Sequence, residues 1–484
     1  MPKQDSLDLL PLGWEDDPEE ERFKISTLDY LTVPAYFSYA LFFQLGGIEK
    51  GRVIEVKAGL ERTLSQTRHL CGTIEQDPTG DHCFVKKRDS TVRFVVQSLD
   101  TPEESEVYPS FDDIAQHNFC GSVLGNLDDW TIAPMTTGIK LEAHPDSGPA
   151  AAAFKANFIQ GGLVFIIHQH HYANDANGWA GFAHQLAENC YATVNHTQFP
   201  AWDPLCLDLS CFIRPDIPEE SRIDGLPAMD FQPNNVPIEM LLFHLPKSKA
   251  AALKELATPP NGSQISTYDA FSAFLWRTVT RLRAPISTLD LSRTLPWSGG
   301  IDMRRRIHTH SIHPRTQQNV LIVASSGTAP GPINPPTIAE VVSLWPLSKL
   351  ASYIRQITNS ATQESLDSLL DSLAPVRDKP SLWARMPRHE PSLLNIIQTD
   401  HRSAAISSAN FGFARHPVYR VLTDQLMQGI VVIYPPRDPD PFSDEGPEFS
   451  IVYEVALKEG LIEDEEWRGY FEYRGVDAVD KGSH

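Results

Sequence analysis

The sequence predicts an α/β protein made of two sheet-and-helix units, and three observations carry that prediction. The stretch from Gly162 to Cys190 reads strand, polar loop, helix. Leu163 to Ile167 is a continuous apolar run rich in β-branched and aromatic residues, the composition of a strand buried on both faces. The turn-forming residues Asn174 to Gly178 follow, and Trp179, Phe182, Leu186 and Cys190 then recur at three- and four-residue spacing, which is one helix face. Second, 484 residues exceed what a single core serves, so two domains are expected, and 41% hydrophobic residues suffice to fill both. Third, Gln198 to Pro237 is dense in proline and aperiodic, which marks a linker between two halves that each hold strands and helices.

In chain order, residues 1–24 read as a polar lead-in, with the ordered part beginning near Ile25 to Asp29. Tyr36 to Leu45 is an aromatic-rich strand. Val53 to Leu70 is an amphipathic helix with Ile54, Val56, Leu60, Leu64 and Leu70 on one side. His82 to Val96 reads as a pair of strands, and Trp130 to Met135 and Ala152 to Phe158 as further strand pieces. Beyond the linker, Glu239 to Phe243 is a strand and Lys247 to Leu256 a helix. A second helix, Ser266 to Arg283, follows the Pro259-Pro260-Asn261-Gly262 break, capped by Ser266 or Thr267 and with Asp269 in its first turn. Val320 to Ser325 is a buried strand, Gly327 to Pro336 an interruption, and Ile338 to about Leu373 a long helical region with Leu350, Ile354 and Ile357 as a core stripe. Ile430 to Tyr434 and Phe449 to Leu457 are the last strands, joined by an exposed loop. No repeat period is present, nor a G-x-G-x-x-G, Walker A or G-x-S-x-G motif.

Composition excludes several classes. A formal charge of −21 repels nucleic acid and anionic membrane surfaces. The six cysteines, at 71, 83, 120, 190, 206 and 211, have no metal-type spacing and no dense framework, so they read as reduced packing residues. The acidic start lacks the pattern of a secretory leader, and no apolar run approaches the ~18 residues of a spanning helix. A cytoplasmic monomer is the expectation.

The polar loop holds the chemistry. His168, Gln169, His170 and His171 stand at the carboxyl end of the buried strand, where open α/β sheets present ligands. His171 and Asp175 form an H-x-x-x-D pair. An imidazole that accepts a hydroxyl proton needs its tautomer and ring fixed, and a carboxylate can hold the loop that carries it. His171 is therefore the candidate general base. The plainer reading is that Asp175 caps the following helix and His171 is a satisfied polar residue at a strand end. A metal site from His168, His170 and His171 is weaker, because strand alternation puts the first two on one face and the third on the other.

H-H-x-x-x-D before an amphipathic helix resembles the catalytic motif of the CoA-dependent BAHD acyltransferases, and also that of peptide-synthetase condensation domains. Ile265 to Trp276 (ISTYDAFSAFLW) is similar to the BAHD ST-x-D-A-L-x-A-x-x-W helix, Ile301 to Arg306 (IDMRRR) to its V-D-x-R-x-R segment, and Asn410 to Ala414 (NFGFA) stands where that family has D-F-G-W-G. NFGFA, and the lack of adjoining carrier-type sequence, disfavour a condensation domain. The order matches over nearly the whole chain, and HQHHYANDANGWAGFAHQLAENC with WSGGIDMR resembles the fungal trichothecene 3-O-acetyltransferase branch.

The resemblance implies two chloramphenicol-acetyltransferase-like lobes, each a mixed sheet with flanking helices, meeting at a channel that holds His171. Residues 1–200 would form the first lobe, 201–237 the linker and 238–484 the second lobe, with 410–426 passing back to the first. It implies acyl-CoA as co-substrate, no bound cofactor or metal, and a small-molecule acceptor, a hydroxyl of a fungal secondary metabolite. His171 and Asp175 are the implied catalytic residues, Asp175 pointing away from substrate and pairing with an arginine. Ser266, Thr267, Arg304, Arg306, Asn410, Phe411, Gly412 and Phe413 are the candidates for the substrate and CoA side. Arg304 to Arg306 is the densest cationic cluster available to offset the acidic field, or else ordinary solvated charge with a structural ion pair. Capping is the stronger reading for Ser266 and Thr267. Trp130, Met135, Trp297 and Phe413 are channel candidates that equally suit a core.

Departures from the pattern bear on the mechanism. Asn410 replaces an aspartate that pairs with an arginine of the D-x-R-x-R region, and its amide is expected to hydrogen-bond to Arg304 or Arg306. Phe413 replaces a tryptophan and has no N–H for an oxyanion. Ala414 and Gln318 replace glycines, and Ala176-Asn177 precede the motif glycine, Gly178. The oxyanion stabiliser stays unassigned. N-acylation, a base-driven carbon–carbon bond formation or cyclisation on the same fold, and a non-catalytic metabolite-binding homologue are the alternatives.

Overall fold

The computed structural model describes residues 2–47, 49–54, 56–78, 80–214, 217–225, 236–286, 290–309, 312–326, 333–385 and 394–481. Two large mixed sheets organise it. The first has six strands in the order Lys3–Leu9, Val92–Ser98, Ala152–Ile159, Gly162–His170, Tyr36–Gln44, Val418–Leu422. Only Val92–Ser98 and Ala152–Ile159 run parallel; the other neighbours are antiparallel. The second has seven strands in the order Leu321–Ser325, Ser298–Asp302, Ile397–Asp400, Ile430–Tyr434, Glu448–Glu454, Ile238–His244, Glu472–Val479. Ile397–Asp400 is parallel to both its neighbours. A small third sheet joins Glu20–Lys24, His82–Lys87 and Thr73–Gln76.

The strand Gly162–His170 lies inside the first sheet and is buried along its whole length, as its unbroken apolar run requires. Helix Ala176–Asn195 packs on that sheet and against helix Val56–Gln66. The two backbones approach so closely that a Cβ on Gly59 would stand 3.0 Å from the Cα of Cys190. Asn189 Nδ2 ties the pair by donating to Thr63 Oγ1 at 3.0 Å and Gln66 Oε1 at 2.8 Å. In the second half, helix Thr267–Arg283 covers its sheet, and an aromatic cluster of Phe243, Phe271, Phe449, Trp467 and Phe471 fills the core.

Val418–Leu422 pairs with Tyr36–Gln44, so this late segment adds the last strand to the first sheet. The two halves also touch through an isolated parallel bridge between Asn174 and Gln318, which lie just beyond the strands Gly162–His170 and Leu321–Ser325.

Several sequence expectations are corrected. The lead-in is structured: Lys3–Leu9 is an edge strand and Glu20–Lys24 belongs to the small sheet. Lys3–Leu9 is exposed at every position but Leu9, so ladder hydrogen bonds rather than an apolar face hold it. Residues from Trp130 to Met135 form a helical turn, Leu127–Trp130, and a 3₁₀ turn, Ala133–Met135, around Pro134. The two strands seen in His82 to Val96 enter different sheets. Val53 to Leu70 divides into helix Val56–Gln66 and a 3₁₀ turn Arg68–Cys71, flanked by Glu49–Ile54. The helical region after Ile338 is broken at Pro346 and again at Thr362, which caps helix Gln363–Leu373. Pro227 and Pro233 of the linker, and Gly327 to Gly331, lie outside the described residues.

Candidate active site

His171 sits one residue past the strand Gly162–His170, in the turn before helix Ala176–Asn195. Its backbone N–H donates to Ala35 O at 2.9 Å. Its ring stands edge-on to Phe37, with centroids 4.7 Å apart, and is half-buried. Nδ1 is fully enclosed with no hydrogen-bond partner in the protein. Burial lowers the ring's pKa below the ordinary imidazole value. The carbonyls of His171 and Asn174, the Asp175 charge and the Asn319 side chain oppose that shift only in part. The ring is thus neutral at neutral pH, the form that accepts a proton.

The neighbouring histidines have other work. His168 Nδ1 meets Ser38 Oγ at 3.0 Å and Met135 O at 3.1 Å, and its Nε2 accepts from Ile132 N at 3.3 Å. His170 uses Nε2 on Ala143 O at 2.8 Å, and its Nδ1 accepts from Tyr172 N at 3.1 Å. Desolvation drives both down to about 3. Among the described residues no group of three His, Cys, Asp or Glu side chains is arranged to hold a metal ion.

Asp175 fulfils both sequence readings at once. It is the N-cap of helix Ala176–Asn195, its Oδ1 accepting from Gly178 N at 2.7 Å. The same carboxylate takes Arg304 from the second sheet in a two-pronged pair, Nη2 to Oδ1 and Nη1 to Oδ2, each 3.0 Å. Val320 N donates to Oδ2 at 2.8 Å. Arg304 in turn spends all five of its N–H donors inside the protein. Beyond the two on Asp175, Nε reaches Thr316 O at 2.7 Å, Nη1 reaches Asp302 at 2.8 Å and Nη2 reaches Gln318 O at 2.8 Å. None is left for a phosphate. Arg304 is a buried strut between the two halves and Arg305 is exposed, which is the plainer reading of this cluster, a structural ion pair beside solvated charge, and leaves Arg304 no donor for CoA.

This junction dictates two local backbone features. A Cβ on Gly178 would lie 2.5 Å from Gln318 O and 2.6 Å from Asn174 Oδ1, so only glycine fits. Gln318 has φ +62, left-handed backbone that explains why glycine suits this position in the motif it resembles.

The remaining candidates are also structural. Ser266 and Asp269 make a reciprocal capping box, so capping is what Ser266 does, with Thr267 the first helical residue. Arg306 donates to Thr358 O and, at 3.0 Å, to Ala361 O, closing the end of helix Leu347–Ser360. Asn410 does not reach either arginine; its Oδ1 accepts from Gly412 N at 3.0 Å and shapes a tight turn. Gly412, φ +85, presses on helix Ala176–Asn195, where a Cβ would come within 2.9 Å of Tyr191 Cα. Phe411 and Phe413 pack on Phe43 at 5.0 and 5.3 Å between centroids. That turn docks the crossing segment onto the first sheet. Trp130 and Trp297 are fully enclosed and Met135 is buried, all as core residues.

The structure adds groups that the sequence reading passed over. Asn319 Nδ2 donates to His171 O at 2.7 Å and to Asp29 Oδ1 at 2.8 Å. His401, after strand Ile397–Asp400, meets Tyr419 OH at 2.9 Å and Thr399 Oγ1 at 3.0 Å, and lies within electrostatic reach of His171 and Asp175. Tyr419 stacks on Trp179 at 4.8 Å. Only the position next to Asn319 carried a sequence signal, Gln318 in place of a glycine. Asp29, His401 and Tyr419 converge from three distant segments without one.

With this geometry in view, comparison with known proteins is consistent throughout. Residues 36–190 match the trichothecene 3-O-acetyltransferase-like N-terminal domain. The acetyltransferase FGR3 of Gibberella zeae is 58% identical over 478 residues, covering 99% of this chain and 95% of that protein. The trichothecene 3-O-acetyltransferase TRI101 of Fusarium sporotrichioides is 23% identical over 407 residues, 80% of this chain and 81% of that one. Among solved structures, F. graminearum TRI101 complexed with coenzyme A and T-2 mycotoxin superposes with a TM-score of 0.75 at 18% identity, over 94% of this chain and 100% of that chain. Vinorine synthase does so with a TM-score of 0.62 at 16% identity, over 94% and 96%. The 58% identity over nearly the whole of both chains decides the family: the chain belongs to the BAHD-like, trichothecene 3-O-acetyltransferase-like acyltransferases.

Proposed function

We propose that this chain transfers an acetyl or similar acyl group from acyl-CoA to a hydroxyl of a fungal secondary metabolite, with His171 as general base. One observation carries the assignment: a neutral imidazole, half-exposed and with Nδ1 enclosed, stands where the two sheets meet, on a loop clamped by Arg304 through Asp175. Relatives named as O-acetyltransferases, acting on trichothecenes or eremophilanes, support a hydroxyl acceptor of terpenoid type.

In the reaction His171 takes the acceptor hydroxyl proton as that oxygen attacks the thioester carbonyl. The tetrahedral intermediate then collapses, the C–S bond breaks, and the imidazolium returns its proton to the CoA thiolate. Asp175 touches no substrate in this scheme. Its carboxylate holds the loop, unlike the aspartate of a serine-protease triad. General base catalysis of this kind supplies typically ~10²- to 10⁴-fold, and holding both substrates in one channel supplies much of the rest.

The test is incubation with acetyl-CoA, malonyl-CoA and longer acyl-CoAs, each with a pooled metabolite extract, following free thiol and product mass for wild type and His171→Ala. Acceptor-dependent thiol release and a mass gain of one acyl group, both lost in the variant, are expected. A His171-dependent change of skeleton without thiol release would replace acylation by cyclisation. A monomer in the cytoplasm belongs to the same reading. Six free cysteines are in keeping with a reducing compartment, and light scattering that gives more than one chain's mass would overturn the monomer.

A further inference from the structure

We propose that Thr399 is a further catalytic residue, its hydroxyl donating a hydrogen bond to the oxyanion of the tetrahedral intermediate, and that Tyr419 points that hydroxyl by way of His401; the proposal rests on the acyl-transfer reading. Three side chains form a line from one sheet to the other. Tyr419 lies on Val418–Leu422, the last strand of the first sheet, and Thr399 and His401 stand at the end of Ile397–Asp400 in the second.

Strand alternation decides which way Thr399 faces. Gln398 Oε1 accepts from Ser272 Oγ at 2.6 Å, so its side chain is turned to helix Thr267–Arg283. Thr399 therefore stands on the opposite face, where its Oγ1 meets His401 Nε2 at 3.0 Å. His401 Nδ1 in turn meets Tyr419 OH at 2.9 Å, so this face is the one turned to the first sheet, and His401 is within electrostatic reach of His171 and Asp175. His401 and Tyr419 are buried and Thr399 is half-buried, so the open end of the line is the threonine.

The donor count fixes the direction of the line. Burial holds His401 at about 4 and the Tyr419 phenol well above its ordinary value. At neutral pH one nitrogen of His401 therefore donates and the other accepts, and the phenol keeps its proton. The rings of Tyr39, Trp179 and Tyr434 surround the phenol, with centroids 6.1, 4.8 and 5.5 Å from its own. Among the described residues only His401 Nδ1 hydrogen-bonds to its oxygen. Were Nδ1 to carry the ring hydrogen, the phenol hydrogen would be buried without an acceptor. The network thus assigns the tautomer: Tyr419 donates to Nδ1, Nε2–H donates to Thr399 Oγ1, and the threonine hydrogen is the one left over.

A spare, pre-oriented donor is what an oxyanion needs, and the motif residues do not supply one. Phe413 has no N–H, and Arg304 has spent all five. As the acceptor oxygen attacks the thioester carbon, the carbonyl π pair moves onto oxygen, and Thr399 O–H donates to it without giving up its proton. When that pair returns, the C–S bond breaks and the hydrogen bond weakens, so the interaction is strongest where the barrier lies.

Thr399→Val removes the hydroxyl at nearly constant shape and keeps a β-branched side chain on the strand, whereas Thr399→Ser keeps the hydroxyl. Thiol release from acetyl-CoA with the pooled metabolite extract gives kcat and KM for these two, for Tyr419→Phe and for the double variant Thr399→Val with Tyr419→Phe, each beside a thermal melt. Removing one oxyanion donor typically costs ~10²- to 10³-fold. We expect a kcat loss of that size in Thr399→Val with KM for acetyl-CoA unchanged, most of the activity kept in Thr399→Ser, and a smaller kcat loss in Tyr419→Phe. The double variant should be no slower than Thr399→Val, because the phenol acts only through that hydroxyl. A folded Thr399→Val with wild-type kcat overturns the proposal, as does a loss confined to KM or a serine variant as slow as the valine one. Losses that multiply in the double variant overturn the part given to Tyr419. If Thr399→Val does not fold, Thr399→Ala takes its place. A wild type that releases no thiol from any acyl-CoA overturns the acyl-transfer reading itself, whereas His171-dependent release that Thr399→Val leaves intact overturns this inference alone.

Discussion

Two buried arginine–carboxylate junctions tie the two sheets together, and they differ in what they hold. In one, Arg304 of the second sheet grips Asp175 of the loop that carries His171. In the other, Arg420, on the last strand of the first sheet, meets Glu448 of the second at 2.6 Å, with Arg437 on the same carboxylate. Both pairs are almost wholly enclosed. Arg304 has all five donors engaged, whereas Arg420 leaves Nε without a partner. Near Glu448 the further bonds are structural, Ser450 Oγ to Asp477 at 2.6 Å and Gly121 N to Asp477 at 3.1 Å. The same interaction is therefore used once to fasten two sheets and once to aim a loop. The more completely bonded arginine is the one beside the imidazole.

The largest expected effect breaks the site without touching either junction. His171→Ala removes the proton acceptor and is expected to lower kcat by ~10²- to 10⁴-fold, with the melting temperature near wild type, because the ring makes no side-chain hydrogen bond of normal geometry. Steady-state thiol release beside a thermal melt checks this. A variant as active as wild type would move the base elsewhere.

The next pair separates aiming from fastening. Arg304→Met strands the buried Asp175 and the half-buried Asp302, and Glu448→Gln strands two arginines; breaking a buried pair costs ~3–5 kcal/mol. Both variants should unfold at lower urea. Per folded molecule, only Arg304→Met should lose kcat, since only that junction positions the His171 loop. Equal kcat losses would show that the two junctions act alike.

Acid distinguishes the junctions by sign. Burial holds His69 and His401 at about 4 and His168 and His170 at about 3, and lowers His171. As pH falls below ~6.5, the unfolded chain binds protons that the folded chain refuses, so each of these groups costs stability, at up to ~1.4 kcal/mol per pH unit. Asp29 works the other way. Its raised pKa of about 6 lets the folded state bind a proton first, adding stability as pH falls from about 6 toward ~4. His184 is lowered by burial as well, and Asp302 and Asp477 are raised like Asp29, so six histidines against three aspartates give a net loss, with His168, His170 and His171 in the strand end and loop that lead to Asp175. Glu448 is opposite in kind. Burial would raise its pKa, but Arg420 and Arg437 hold it below the ordinary value, so its stabilisation persists until pH drops below ~4.5. Urea midpoints between pH 7 and 5 should fall, and hydrogen exchange should rise in residues 168–176 before it rises in 448–454. Simultaneous opening would contradict the distinction.

The first junction was partly legible in sequence because its parts lie in short motifs. H-x-x-x-D fixed His171 and Asp175 within one loop, and the resemblance gave Asp175 an arginine partner without naming it, while I-D-M-R-R-R marked Arg304 only as a candidate for the CoA side. Buried strands with unbroken apolar runs, such as Gly162–His170, were equally plain, since both faces must be apolar. What was hidden depends on contacts distant in sequence. The edge strand Lys3–Leu9 has no apolar alternation because its outer edge and faces meet water, and only pairing with Val92–Ser98 defines it. The second junction joins Arg420, Arg437 and Glu448 from three elements with no motif. Asn410 looked like an arginine partner by its place in a pattern, but its amide was used locally, two residues on, by Gly412 N.

The smallest expected effect lies inside the first junction, at Gln318. Its backbone does the work there: the N–H donates to Asn174 Oδ1 at 2.7 Å and the carbonyl accepts from Arg304 at 2.8 Å. The side-chain Oε1 is enclosed without a partner. Left-handed backbone costs a residue with a Cβ ~1–2 kcal/mol, and glycine removes that cost while adding ~0.5–1 kcal/mol of unfolded-chain entropy. Gln318→Gly should therefore stabilise by up to ~1 kcal/mol, and Gln318→Ala, which keeps the Cβ at φ +62, should not. Thermal melts of the two variants side by side measure the difference. If alanine stabilises as much as glycine, the gain comes from removing the unpaired amide oxygen, and the junction bears no backbone strain at this residue.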